Sequence, residues 1–85
     1  MNEKFHKNIR QLPLGSYYCY FKQSKYLLTK QYYAQGKIIK IYAQELKGND
    51  IVSGNYYPSI KGGLLKPCEM SDKKVINFVN SLKII

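Results

Sequence analysis

An enzyme needs a poised acid, base, nucleophile or metal cluster, and this chain supplies few groups of any kind. Its one histidine, His6, lies between Phe5 and Lys7 on a short helical pattern. A lone histidine there reads as an exposed helix residue, because acid–base work requires a partner group within hydrogen-bond reach. Cys19 and Cys68 have neither metal-ligand spacing nor the numbers of a disulfide framework. Cys19 alternates with apolar residues and reads as a small buried hydrophobe. Cys68, in PCEMS, precedes a helix start that would favour a thiolate, but no second histidine exists to pair with it. Of the five carboxylates, Glu69 and Asp72 suit the positive end of a helix dipole better than proton transfer. SIKGGLLKP contains a lysine and two glycines, yet neither a G-K-[ST] nor a G-x-G-x-x-G phosphate loop. No catalytic residue, metal site or cofactor is expected.

Binding chemistry is better represented. The stretch GSYYCYFKQSKYLLTKQYYAQGKIIKIY, residues 15–42, holds seven of the nine tyrosines and no acidic residue. The whole chain carries 14 basic residues against 5 acidic ones, a net charge of +9 with a pI of about 9.6. Such a bias on 85 residues favours polyanionic partners: nucleic acid, or an acidic or RNA-bearing protein complex. Thirteen of the fourteen basic residues are lysine, and only Arg10 offers the fork that recognises phosphate in a bidentate way. A lysine-rich surface also serves solubility alone, so charge by itself does not assign a partner. The Lys, Asn, Ile and Tyr excess fits an AT-rich coding sequence of the kind found in low-GC bacteria and their phages.

The length and the ordinary apolar share of 45% bound the chain to a single small domain over 1–85. MNEKFHKNIRQLPLG has no apolar signal-peptide core, and no run is long enough to span a bilayer. The expectation is a reduced, cytoplasmic protein that does not act at a membrane.

Three parts position the tyrosines. Residues 1–14 form an arm with a short, frayed helix: Phe5, Ile9 and Leu12 recur at i, i+4, i+7, Asn2 is the candidate N-cap, and PLG ends the run. Residues 15–70 are β-rich. Aromatic and branched runs at 16–22, 26–33 and 37–46, separated by QS and QG, predict an antiparallel meander. KGND is a turn, a fourth short strand is expected near 51–53, and a hairpin is expected at KGG. Residues 71–85 predict an amphipathic helix, with Ser71 as N-cap and Val75, Phe78, Val79 and Leu82 as its stripe.

The favoured fold is therefore α+β: a three- to four-stranded antiparallel sheet with the C-terminal helix on one face. The alternative is an SH3- or OB-like small barrel with an appended helix, using 51–53 and 63–66 as extra strands. Side-chain parity then divides the tyrosines. Tyr17, Tyr26 and Tyr32 fall on a core face with Cys19, Phe21, Leu28, Ile39, Ile41 and Ala43. Lys30 is the misfit there and is expected to snorkel past the end of the sheet. Tyr18, Tyr20, Tyr33 and Tyr42 fall on the opposite face with Lys22 and Lys40, and Lys25 and Lys37 are taken with them as the basic complement. Two plainer explanations compete: cross-strand pairs that merely stabilise a wet sheet, and a cover formed by residues 51–66.

GSYYCYF at 15–21, opening a strand after a short helix, resembles the start of the equivalent strand in the HicA-type toxins. Those toxins have a double-stranded-RNA-binding-like fold and a Gly-Ser-His at this place. The resemblance covers about seven residues, and nothing beyond residue 46 matches. Tyr17 stands where their catalytic histidine would be, which argues against ribonuclease activity, and the family is not claimed.

The expected function is thus a small, basic, non-enzymatic protein that contacts nucleic acid, DNA or RNA, through Tyr18, Tyr20, Lys22, Lys25, Tyr33, Lys37, Lys40 and Tyr42. The alternative is a phage- or mobile-element-encoded inhibitor, anti-CRISPR-like, that binds a host protein or ribonucleoprotein defence complex. A small ribonuclease toxin comes third. Ile76 and the apolar tail KII suit a homodimer contact.

Overall fold

The computed structural model describes residues 3–85; Asn2, the N-cap suggested by the sequence, lies outside them. The elements run α1 (Glu3–Gln11), β1 (Gly15–Phe21), β2 (Ser24–Tyr33), β3 (Ile38–Glu45), β4 (Ile51–Tyr57), β5 (Leu64–Pro67), α2 (Asp72–Ser81) and β6 (Lys83–Ile84). Their strands form one antiparallel sheet in the order β5-β4-β3-β2-β1-β6. The architecture is α+β, with six strands in place of the three or four expected. The additional strand foreseen at 63–66 forms as β5, but the sheet stays open, with β5 and β6 at opposite edges, so no barrel closes. β4 is also longer than expected, and β4 and β5 widen the sheet instead of folding over its outward face.

Alternation decides which face is covered. Cys19, Phe21, Tyr26, Leu28, Ile39, Ile41, Ala43, Val52, Tyr56 and Leu65 share one side and merge with Phe5 and Ile9 of α1 and Val75, Phe78 and Val79 of α2 into one buried cluster. Phe78 is its hub, with ring centroids 5.0 Å from Phe21 and 5.2 Å from Tyr26. Burial of such aromatic surface is the main term favouring the fold. α2 begins as expected, with the Ser71 hydroxyl accepting the Lys74 amide at 3.1 Å. Ile76 packs against the core, and the tail turns back as β6 to pair with β1, so the features assigned to a homodimer contact are partly spent within the chain.

Three local readings are corrected. α1 is docked and not frayed: Phe5 and Ile9 are fully buried, and Asn8 donates to Asn80 of α2 at 3.0 Å. Lys30 does not reach solvent. It is buried, and its ammonium donates to the carbonyls of Arg10 (3.0 Å) and Leu12 (2.7 Å), capping carbonyls that the end of α1 leaves without helical partners. The first hairpin turns at Lys22–Gln23, not at Gln23–Ser24; both turn residues take positive φ (48° and 66°) without a glycine.

Alkaline pH should expose how much the fold depends on buried protons. Burial raises the Cys19 thiol from 9.0 to about 11. Burial, helped by Cys19, raises Tyr17 from 10.0 to about 12. Burial also raises Tyr26, with Asp50 contributing, and Tyr56. Each of these groups keeps its proton in the folded state where the unfolded chain releases it, so stability falls as pH rises above the unfolded values. Lys30 works in the opposite sense: burial lowers its value from 10.5, so its contribution improves with rising pH and levels off only above 10.5, once the unfolded lysine has lost its proton as well. The urea midpoint is therefore expected to fall steadily above pH 10.5, and less steeply in Tyr26→Phe. A flat profile from there to pH 12 would refute the burial of these hydroxyls.

Candidate nucleic-acid interface

The face opposite the helices is built from the other parity of the same strands. Register sets its rows: Tyr18, Leu27, Gln44 and Ile51; Ser16, Thr29, Tyr42 and Ser53; Gln31, Lys40, Asn55 and Lys66. Tyr20 and Lys25 are paired at one end, and Tyr33 and Ile38 at the other. Tyr18, Tyr20, Tyr33 and Tyr42 are each 42–48% exposed, enough to present a ring surface to a ligand. From the row of Tyr20 to that of Tyr33 is eight residues of β2, about 27 Å of extended strand.

Lysines attend the rings. Lys25 Nζ lies 4.6 Å from the Tyr18 ring centroid, Lys40 Nζ 5.9 Å from that of Tyr33, and Lys66 Nζ 5.9 Å from that of Tyr57. An ammonium over an aromatic face is attracted by the ring quadrupole, which holds each pair in place without neutralising the charge. No strand residue of this parity is a carboxylate. Hydrogen bonds between Ser16 Oγ and Thr29 Oγ1 (2.8 Å) and from Tyr33 Oη to Gln31 Oε1 (2.8 Å) stiffen the surface.

Six of the eight sequence-predicted residues come together here: Tyr18, Tyr20, Lys25, Tyr33, Lys40 and Tyr42. The other two sit in hairpin turns at opposite ends of β2. Lys22 follows Phe21 into the first turn, with its Nζ 5.3 Å from the Phe21 ring, and lines a groove with Lys73 and Lys74 on the helix-bearing side. Lys37 closes the second turn, its amide donating to the Ala34 carbonyl at 3.2 Å. Both leave the face because β1 ends one residue before Lys22 and β3 begins one residue after Lys37. Tyr57 and Lys66 belong to the surface but were not foreseen. Their signal is parity within IVSGNYY, which sends Tyr56 inward and Tyr57 outward once the strand is known to reach residue 57.

The expected core tyrosines behave unequally. Tyr17 donates to the Pro13 carbonyl at 2.7 Å, and Tyr26 donates to Asp50 Oδ2 at 2.7 Å. Asp50 also receives Lys74 Nζ at 2.5 Å, and that bond is the first cause holding its carboxyl below the ordinary range. Tyr32 is exposed, contrary to expectation, although His6 and Arg10 of α1 line a cleft beside it. Cys19 is buried and Cys68 exposed, both as free thiols.

No protein-family model matches this chain, and no curated protein or solved structure is found to be similar to it. The short likeness to the HicA-type strand start therefore has no wider support, and the Tyr17 hydroxyl is engaged with the backbone. Among the described residues, no three His, Cys, Asp or Glu side chains gather as a metal-binding group, and no helix is long and apolar enough to cross a membrane.

Proposed function

We propose that this chain is a non-enzymatic nucleic-acid-binding module. Its outward sheet face stacks bases on Tyr18, Tyr20, Tyr33 and Tyr42, and Lys25, Lys40 and Lys66 neutralise phosphates. The observation that carries this reading is the set of half-exposed tyrosines interleaved with ammonium groups on outward strand positions that include no carboxylate, Glu45 bordering only the Tyr20–Lys25 end, in a chain of net charge +9. Aromatic platforms beside basic side chains suit single strands, because every base has a stackable face and every nucleotide a phosphate. The breadth of the face favours the same ligand. Five strands spaced about 4.8 Å apart make a surface about 19 Å across, wider than the roughly 12 Å major groove that admits a helix or a two-stranded ribbon. A cytoplasmic setting goes with this reading.

Fluorescence anisotropy with labelled single- and double-stranded DNA and RNA, titrated with salt, tests it. Single strands should bind more tightly than duplexes and remain bound at physiological salt, with a slope reporting several phosphate contacts. Lys40→Glu should weaken binding by about tenfold or more and reduce the salt slope by about one. Binding unchanged in that variant would sink the proposed face.

A second reading rests on the row Tyr18, Leu27 and Ile51, whose apolar side chains are all exposed. Such a row suits a protein hot spot, as in an inhibitor encoded by a phage or mobile element that docks on an acidic or RNA-bearing host complex. Equal, salt-labile binding to all four nucleic acids would move the assignment to that partner.

A further inference from the structure

The outward face has one strand more than its tyrosines occupy. After α2, β6 pairs with the other edge of β1, setting Lys83 opposite Tyr20 and Ile84 opposite Cys19. The Ile85 amide then donates to the Tyr18 carbonyl at 3.2 Å. Cys19 belongs to the buried side, and Ile84 lines a hollow with Leu12, Val79 and Leu82 beside the helices. Alternation therefore places Lys83 and Ile85 on the outward face. Directly opposed residues on one face have Cβ atoms about 4.5–5.5 Å apart, so Lys83 stands beside Tyr20.

Lys83 differs from the other outward lysines of the strands. Lys25, Lys40 and Lys66 each lie over a tyrosine ring. Lys83 is exposed, and among the described residues it has neither an ion pair nor a ring beneath its ammonium. Tyr20 likewise has no ammonium over its ring among those residues, although Tyr18 and Tyr33 do. An uncommitted cation thus borders an uncommitted aromatic face.

Position in the sheet relates these groups to one another. Lys66 of β5 and Lys40 of β3 share one row. Three rows along, Lys25 of β2 and Lys83 of β6 share another with Tyr20, and Tyr42 and Tyr18 occupy the two rows between. The cations therefore follow a diagonal from the β5 edge to the β6 edge, with tyrosines along it. Toward the other two corners the rows end in Ile51 and Ser16, which carry no charge. Six strands about 4.8 Å apart span about 24 Å, and three row steps cover about 20 Å, so the diagonal is about 31 Å long.

We propose that a nucleic-acid single strand crosses the outward face along this diagonal, from Lys66 to Lys83. Lys83 binds the phosphate next to the base stacked on Tyr20. Resting on the nucleic-acid reading above, this path adds β6 to the binding surface. Basic and aromatic side chains along one line match the phosphates and bases of a single strand. A charge of either sign on a short edge strand deters pairing with another chain, but only a positive one attracts phosphate. Lys83→Glu separates the two roles.

Anisotropy titrations compare the parent chain with Lys83→Glu, Lys83→Gln and Lys73→Glu, the last making the same charge change in the groove on the helix-bearing side. Lys83→Glu should weaken single-strand binding by about tenfold and lower the salt slope by about one or more. Lys83→Gln should lose less. Lys73→Glu should stay within about threefold of the parent at 0.1 M salt, where the Debye length is about 10 Å. Equal losses in the two glutamate variants assign the effect to overall charge and overturn the contact. A parent-like Lys83→Gln assigns it to added repulsion and overturns the contact as well.

Oligonucleotides of about 4–16 nucleotides, the range of known single-strand modules, test the path. Affinity of the parent should level off at the length that reaches both edges, and that of Lys83→Glu at a shorter length. The same plateau length in both overturns the diagonal. Weakened binding in Lys40→Glu with none in Lys83→Glu overturns the path alone and leaves the sheet-face reading standing. Absence of oligonucleotide binding by the parent chain overturns that reading, and the path with it.

Discussion

Replacing Tyr18 and Tyr42 together by alanine is expected to lower single-strand affinity by roughly 30-fold or more, with the fold unchanged. The reasoning begins from register: Tyr18 lies on β1 and Tyr42 on β3, in adjacent rows of the outward face, and neither ring belongs to the buried cluster. Truncation therefore removes stacking surface without opening a cavity. Base–aromatic stacking is worth about 1–3 kcal/mol per base, and each 1.4 kcal/mol is about tenfold in affinity. Loss of two platforms should leave the salt slope nearly intact, because the lysines remain. That combination separates stacking from simple charge attraction, for which affinity and slope would change together. Anisotropy titrations at two salt concentrations give both quantities. Affinity within threefold of the parent would remove the tyrosines from the interface and leave only a basic surface.

The second large effect concerns the support beneath that surface. Phe78→Ala is expected to cost about 3–5 kcal/mol, the usual range for emptying a large buried aromatic site. Phe78 is fully buried and touches rings contributed by β1 and β2, so its loss loosens α2 from the strands that carry Tyr18 and Tyr20 on their other side. For a domain of this size each kilocalorie moves Tm by about 4–8 °C, so a fall of at least about 12 °C should appear in a thermal melt followed by circular dichroism. Phe78→Leu keeps most of the volume and should lose much less. A fall below about 5 °C for the alanine variant would mean that α2 is not seated on the sheet as described.

Much of this architecture was legible from alternation and periodicity alone. The core face of the first three strands, the stripe of α2 and the Ser71 cap follow from patterns that burial imposes locally. Other features depend on partners distant in sequence. Nothing in QSKYLLTKQ indicates that Lys30 caps a helix twenty residues earlier, because the bond exists only once α1 docks. His6 looked solitary for the same reason: Tyr56, its partner, lies fifty residues away. The first turn was displaced by one residue because Lys22 and Gln23 adopt left-handed backbone without the Asn or Gly that usually marks it. β6 spans two residues and carries no strand signal of its own. On the candidate face, the composition of residues 15–42 pointed to the strands whose outward tyrosines are exposed. The places of Lys22 and Lys37 depended on strand ends, the least certain feature of any pattern.

The contact between α1 and α2 bears on how the protein is made. Of the elements described, α1 leaves the ribosome before the sheet, yet what covers Phe5, Ile9 and Asn8 is supplied by Tyr56 and by α2, much later in the sequence. At about 5–20 residues per second, the nascent helix waits several seconds beside a growing Tyr-rich sheet whose inner face is bare. During that interval the sheet's own hairpins are local and can pair, but neither helix has its partner. The core thus closes only once α2 has emerged, and a ribosome stalled between β3 and α2 would hold an uncovered sheet of the kind that chaperones bind.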